Sequence, residues 1–134
     1  MTRAELSRAL TVGFELHPAS VDIDLAPGPF DSPIWVLSSL ARALAGAARR
    51  ISPTYTVNGE VREAPRHNAF KLIVGDGTGS RREAVFAWRR WTVETPSGET
   101  ISLKDVGSKR RLLNELIQEV AEGLATSEVG AEVE

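Results

Sequence analysis

Residues 75–80, of sequence GDGTGS, contain the residue types of a phosphate-binding loop. They follow the apolar run Leu72-Ile73-Val74, which is typical of a strand, and Ser80 precedes Glu83 with capping-box spacing. A strand that leads through glycines into a helix directs backbone N–H groups toward an anion. A phosphoryl or nucleotide enzyme is therefore one hypothesis, and its candidate phosphate-binding residues are Gly75, Gly77, Gly79 and Ser80.

The same loop is also typical of a hairpin connection. Its glycines follow the pattern G-x-G-x-G instead of the dinucleotide-binding G-x-G-x-x-G, and no Walker lysine follows them. Residues 81–91 decide between the two interpretations. We expect them to form a strand, because they are rich in β-branched and aromatic residues and continue into Thr92-Val93-Glu94. A β-bulge at Arg89-Arg90 would explain why the apolar pattern changes face between Trp88 and Trp91.

Residues 81–93, of sequence RREAVFAWRRWTV, combine four arginines with two tryptophans. Both residue types are enriched at binding hot spots. The sequence therefore predicts a non-catalytic protein-protein interaction or assembly module, of which a self-associating structural component is one form. Arg89, Arg90 and Trp91 are expected to contact a partner protein or another copy, with Arg81 and Arg82 on the rim. The alternative is that solvated arginines flank core aromatics.

A nucleic-acid-binding accessory protein is the second functional class. Arginine and tryptophan together contact phosphates and stack on bases, and the chain has four arginine pairs. The formal net charge is −2, and no helix-turn-helix, zinc-finger or RNA-recognition signature is present. The sequence does not determine whether the pairs converge. They are Arg49-Arg50, Arg81-Arg82, Arg89-Arg90 and Arg110-Arg111.

Catalytic and metal-binding patterns are weak. The chain has no cysteine, which excludes disulfides and thiolate zinc sites, and its serines lie in no nucleophile elbow. His17 precedes Asp22 and Asp24 in a nominal metal-ligand set, but we expect these groups to be solvated. Trp35 is either an exposed anchor or a core residue. We therefore expect no enzyme activity, no metal and no cofactor.

The length of 134 residues and the apolar fraction of 42% predict one domain, residues 1–124, with an acidic and flexible tail at 125–134. Neither a signal peptide nor a run long enough to span a bilayer is evident, so we expect a protein without a membrane partner that lies in the cytoplasm or in a particle assembled there. Thirteen of the sixteen basic residues are arginine, a usage that fits a GC-rich bacterial genome.

The element pattern predicts an α+β domain with a mainly antiparallel sheet built from hairpins. Two principal helices are expected at about 33–51 and 108–124, where apolar residues recur every three or four positions. A capping box at Thr2 and Glu5 predicts a short first helix through about Leu10. Residues 69–74 are predicted to form a strand. Three hairpins are expected: 12–25 with a turn at 18–20, 54–63 around Asn58-Gly59, and 92–103 around Pro96-Ser97-Gly98.

Overall fold

The computed structural model describes residues 1–17, 33–63, 68–104 and 107–133, and gives only the backbone of residue 63 and of residues 126–133. Three helices and five strands lie within these ranges. The helices are α1 (Arg3–Glu15), α2 (Pro33–Ile51) and α3 (Ser108–Val133). The strands are β1 (Thr56–Glu63), β2 (Asn68–Gly75), β3 (Arg81–Arg89), β4 (Thr92–Glu94) and β5 (Thr100–Ser102).

The five strands form one antiparallel sheet in which each strand pairs with its neighbours in the sequence. The predicted α+β class and the hairpin-built sheet are confirmed. Alternate residues of β3 face opposite sides, and Ala84 and Phe86 are buried while Glu83 and Val85 are exposed. One face of the sheet therefore covers the core, and the other is the outer face.

The helices pack on the core face of the sheet. Helix α2 lies mainly against β1, whereas α3 contacts β2, β3 and β5, and α1 packs on both helices. Phe14, Phe70 and Phe86, one from α1 and two from the sheet, are fully buried together with leucines of all three helices. Burial of this apolar layer is the main stabilising contribution and fixes the strands that carry the surface described below.

Helix α1 is longer than predicted, and it overturns part of the first predicted hairpin. Residues 12–15 are helical, whereas residues 18–25 lie outside the described residues. The alternation of Val12, Phe14 and Leu16 indicated a strand, but Leu6, Leu10 and Phe14 form the buried stripe of a helix. Val12 and Leu16 are exposed. The capping box of Thr2 and Glu5 is present as predicted.

The Asn58-Gly59 hairpin is also wrong, because both residues lie inside β1. They pair with Ile73 and Leu72 of β2. A Cβ atom on Gly59 would lie 2.2 Å from the Phe70 ring, so glycine is needed here for close packing. A tertiary contact, and not a turn, accounts for this glycine.

The predicted strand at 81–91 is confirmed as β3, but the predicted bulge is wrong. The chain reverses at Arg90 and Trp91, so that Arg89 pairs with Thr92 and Trp88 with Val93. The apolar pattern changes face because a new strand begins there. The predicted strand at 69–74 and the hairpin around Pro96-Ser97-Gly98 are observed as β2 and as β4 with β5.

Helix α2 has the predicted bounds, whereas α3 continues to Val133, beyond the predicted end near Leu124. The apolar stripe of α3 is buried from Leu112 through Leu124. The flexibility of the tail stays a prediction. None of the helices in the described ranges has both the length and the apolar composition needed to cross a membrane.

Candidate partner-binding site

The turn between β3 and β4 positions the candidate site. The hydroxyl of Thr92 donates to the carbonyl oxygen of Arg89 at 2.8 Å, and the N–H of Leu103 donates to the carbonyl oxygen of Trp91 at 2.7 Å. The first bond closes the turn between β3 and β4, and the second joins the turn to Leu103, the residue that follows β5. Because Thr92 pairs with Ser102 and Arg89 with Thr92, the three residues are neighbours on the outer face.

A shallow concavity of about 420 Å³ lies at this turn. We call it the cationic site, and its lining residues are Arg89, Arg90, Trp91, Thr92, Ser102 and Lys104. The three cationic side chains are exposed, while Trp91 is half-buried. The indole supplies an apolar surface between groups that bind anions.

The charge of the cationic site is not balanced within the described part of the chain. Its lining contains no carboxylate, and Arg89, Arg90 and Lys104 form no ion pair with a described acidic side chain. A concave surface lined by charges of one sign raises the local concentration of counter-ions or charged ligands. The site therefore favours an anionic ligand.

Arg90 has an unusual backbone conformation, with φ of 53°. It is the only residue other than glycine with positive φ among the described residues. Glycine or asparagine adopts this region with less strain, and strained residues of other types cluster at functional sites. Side-chain chemistry at this position is therefore a better explanation for arginine than backbone preference.

The two tryptophans of the segment have different environments. Trp88 lies on the core face and packs against the apolar core, and its indole Nε1 is buried without a hydrogen-bond partner. Trp91 lies in the turn and lines the cationic site. Of the two indoles, only Trp91 is thus placed to contact a partner.

Arg81 and Arg82 do not border the cationic site, although they were predicted on its rim. They lie at the opposite end of β3, about 23 Å or more from Arg89, given the rise per residue of a strand. Arg82 contacts Glu119 at 3.1 Å and Glu122 at 3.5 Å, both in α3. The structure separates these two arginines from the candidate site.

The other arginine pairs do not extend the cationic site into a continuous surface. Arg110 contacts Glu15 at 3.5 Å, and Arg111 forms an ion pair with Glu99. Arg49 and Arg50 are exposed in the last turn of α2, which leads into β1 at the end of the sheet where Thr56 pairs with Gly75. The pairs therefore lie in separate parts of the surface.

The glycine loop connects β2 and β3 as a hairpin, and no helix follows it because residues 81–89 form a strand. Gly77 has φ of 92°, and a Cβ atom there would lie 2.5 Å from Cβ of Thr54. Asp76 accepts hydrogen bonds from the N–H and hydroxyl of Thr78. The phosphate-binding hypothesis required a helix N-terminus after the loop, and a strand begins there instead. The loop also contains the carboxylate of Asp76, which repels a phosphate group.

The remaining candidate residues do not come together as a metal site or a catalytic site within the described ranges. No group of three or more histidine, aspartate or glutamate side chains suited to a metal occurs in the described ranges. Asp22 and Asp24, the proposed partners of His17, lie outside those ranges. Trp35 has 51% of its surface exposed, so it is not a core residue, and its role as an anchor stays a prediction.

Sequence reasoning missed Thr92, Ser102 and Lys104 as members of the site. The predicted hairpin around Pro96-Ser97-Gly98 was a signal that could have placed Thr92 beside Ser102, because the hairpin pairs these two strands. Placing Thr92 opposite Arg89 also requires a turn at Arg90, whereas the sequence pattern had indicated a bulge there. Comparison of the chain with protein-family models, with curated proteins and with solved structures finds no significant match.

Proposed function

We propose that this protein is a non-catalytic interaction module whose cationic site binds an acidic segment of a partner protein. The observation that carries this proposal is the presence of three cations without a described acidic partner around a half-exposed indole. Arg89, Arg90 and Lys104 would bind carboxylates, and Trp91 would contact an apolar part of the same segment.

The outer face of the sheet supports a partner segment that mixes acidic and apolar residues. Val85 and Ala87 precede Arg89 in β3 at intervals of two residues, so they lie on the same face of the sheet. Val85 has 46% of its surface exposed. An extended segment with its carboxylates at the turn would meet these apolar groups next. We therefore expect apolar residues in the partner to strengthen binding.

A protein partner is favoured over nucleic acid by the extent of the positive surface. Nucleic-acid binding usually neutralises many phosphates along a track of cations. Here Arg82, Arg110 and Arg111 are already paired with glutamates, and the concavity is compact. The three cations of the cationic site, Arg89, Arg90 and Lys104, suit a short cluster of carboxylates.

Fluorescence anisotropy with labelled polymers tests the proposal on the full chain. We expect polyglutamate to bind and a glutamate–tyrosine copolymer to bind more tightly. Trp91→Ala should weaken copolymer binding by about tenfold and Arg90→Ala by a similar factor, since each removes a hot-spot contact. Raising the salt from about 50 to 200 mM should weaken binding further.

Arg81→Ala is the matched control, because Arg81 is also an exposed arginine of β3 but lies at the other end. It should leave binding unchanged. Equal losses for Arg81→Ala and Arg90→Ala would show nonspecific charge attraction and contradict the assignment of the site. Tighter binding of an oligothymidylate than of either glutamate polymer would favour the nucleic-acid class instead.

A further inference from the structure

The chain has an uneven distribution of charge along its sequence. After Arg111 there is no lysine or arginine, although the remaining residues include six acidic ones. These are Glu115, Glu119, Glu122, Glu128, Glu132 and Glu134. The last part of the chain is therefore an acidic segment, and it also carries the apolar residues Val129 and Val133.

Helix α3 begins near the cationic site and runs away from it. Its first residue, Ser108, follows Lys104 by four positions, a span of at most about 14 Å. Fifteen residues later, Gly123 packs against Val74 and Arg82, where a Cβ atom would lie 2.9 Å from Val74 Cγ1. Helix α3 thus crosses the sheet from the β3–β4 turn toward the opposite end.

The end of the α3 backbone consequently lies far from the cationic site of its own chain. The backbone of α3 is helical through Val133, which places Glu132 about 36 Å along the helix axis from Ser108. A continuous helix cannot fold back over this distance. The helical backbone of α3 therefore ends far from the positive concavity of the same molecule.

We propose that the acidic C-terminus of one copy binds in the cationic site of a second copy, so that the protein self-associates head to tail. This inference rests on the proposed function and identifies its partner. The charges are complementary, because Arg89, Arg90 and Lys104 have no described acidic partner and the C-terminal segment has no basic residue. A contact between two different surfaces generates a ring or an open filament.

The acidic segment that we assign to this contact begins after Glu122, the last residue of α3 with an ion pair to a described residue. Glu119 and Glu122 contact Arg82 of their own chain. Glu128, Glu132 and Glu134 follow them, and together with Val129 and Val133 they supply the mixed acidic and apolar composition that the outer face favours. A head-to-tail contact through these residues leaves the ion pairs of Glu119 and Glu122 with Arg82 in place.

Sedimentation velocity of two full-length variants tests this contact. The site variant carries Arg89→Glu and Arg90→Glu, and the tail variant carries Glu128→Gln, Glu132→Gln and Glu134→Gln. At low salt the unmodified protein should form larger species as its concentration rises, whereas each variant alone should stay monomeric. An equal mixture should form dimers and nothing larger, because it contains one intact tail and one intact site for each pair.

Arg3→Glu with Arg8→Glu is the control of equal charge change, on exposed positions of α1. It should associate like the unmodified protein. A monomeric unmodified protein that still binds glutamate polymers would overturn self-association and leave the proposed function standing. Association that persists in the site variant and the tail variant would place the interface elsewhere, and failure to bind the polymers as well would overturn both proposals.

Discussion

The two ends of β3 carry the same dipeptide, Arg-Arg, in different surroundings. Arg81-Arg82 lies at what we call the closed end, where α3 crosses the sheet and Glu119 and Glu122 contact Arg82. Arg89-Arg90 lies at the open end, where the cationic site contains no described carboxylate. The same residue types thus form ion pairs within the fold at one end and line an exposed concavity at the other.

The difference arises from the neighbours that the fold supplies. The side chain of Glu119 is only 13% exposed, so its charge requires a partner that stays in place. The open end has an exposed turn and a concavity on the outer face of the sheet. A pair of arginines in the sequence therefore does not by itself reveal whether acidic residues pack beside it in the fold.

The largest effect should come from overpacking the closed end. Gly123→Val adds a Cβ atom that would lie 2.9 Å from Val74 Cγ1, so α3 has to move away from the sheet. We expect a loss of about 2–3 kcal/mol in the free energy of unfolding, measured by chemical denaturation. Gly46→Ala, at a position with no atom within 4 Å, is the control and should be neutral or stabilising. An unchanged stability of Gly123→Val would contradict the close crossing of α3.

Alanine substitution of one arginine at each end of β3 compares the two ends directly. Arg82→Ala leaves Glu119 without its partner in a largely buried position, and we expect a loss of about 1–2 kcal/mol. Arg89→Ala removes an exposed arginine from the same strand and should change stability by less than about 0.5 kcal/mol. Thermal denaturation of both variants measures this difference, and equal effects would remove the distinction between the ends.

Replacing the strained arginine should separate stability from binding. Arg90→Gly relieves a φ of 53°, so we expect a gain of about 1 kcal/mol in the free energy of unfolding. The same change removes a cation from the site and should weaken binding of the glutamate–tyrosine copolymer. Parallel denaturation and anisotropy experiments check both effects, and a variant that loses stability would show that Arg90 is held for structural reasons.

The smallest effect should come from α1, outside both ends of β3. The backbone N–H and then the hydroxyl of Thr2 lower the pKa of Glu5 below its ordinary value. The stabilisation that Glu5 gains from this capping box is present above the pKa of the carboxyl group in the unfolded chain. It is lost as the pH falls through the lower pKa of the same group in the folded protein. Thr2→Ala should cost about 0.5 kcal/mol at neutral pH. Glu5→Gln should weaken the decline of stability in acid, and an identical decline would contradict the capping box.

Much of the fold followed from local patterns. The proline at the start of α2 and its regular apolar spacing identified that helix with its observed bounds. The hairpin around Gly98 was predictable because its turn residues lie between alternating strands. Of the five residues predicted to contact a partner, Arg89, Arg90 and Trp91 lie together, whereas Arg81 and Arg82 lie at the other end of β3. Their role in binding stays a prediction.

The sequence by itself determined the α+β class, the position of α2 and the presence of arginine next to tryptophan, because these depend on residue type and short-range spacing. Only the tertiary structure decided that Gly59 lies beneath Phe70 inside a strand and that Phe14 belongs to a helix. It also decided which arginines face glutamates, since those partners come from elements distant in sequence. Burial and ion pairing depend on neighbours brought together by folding, and a local pattern does not contain them.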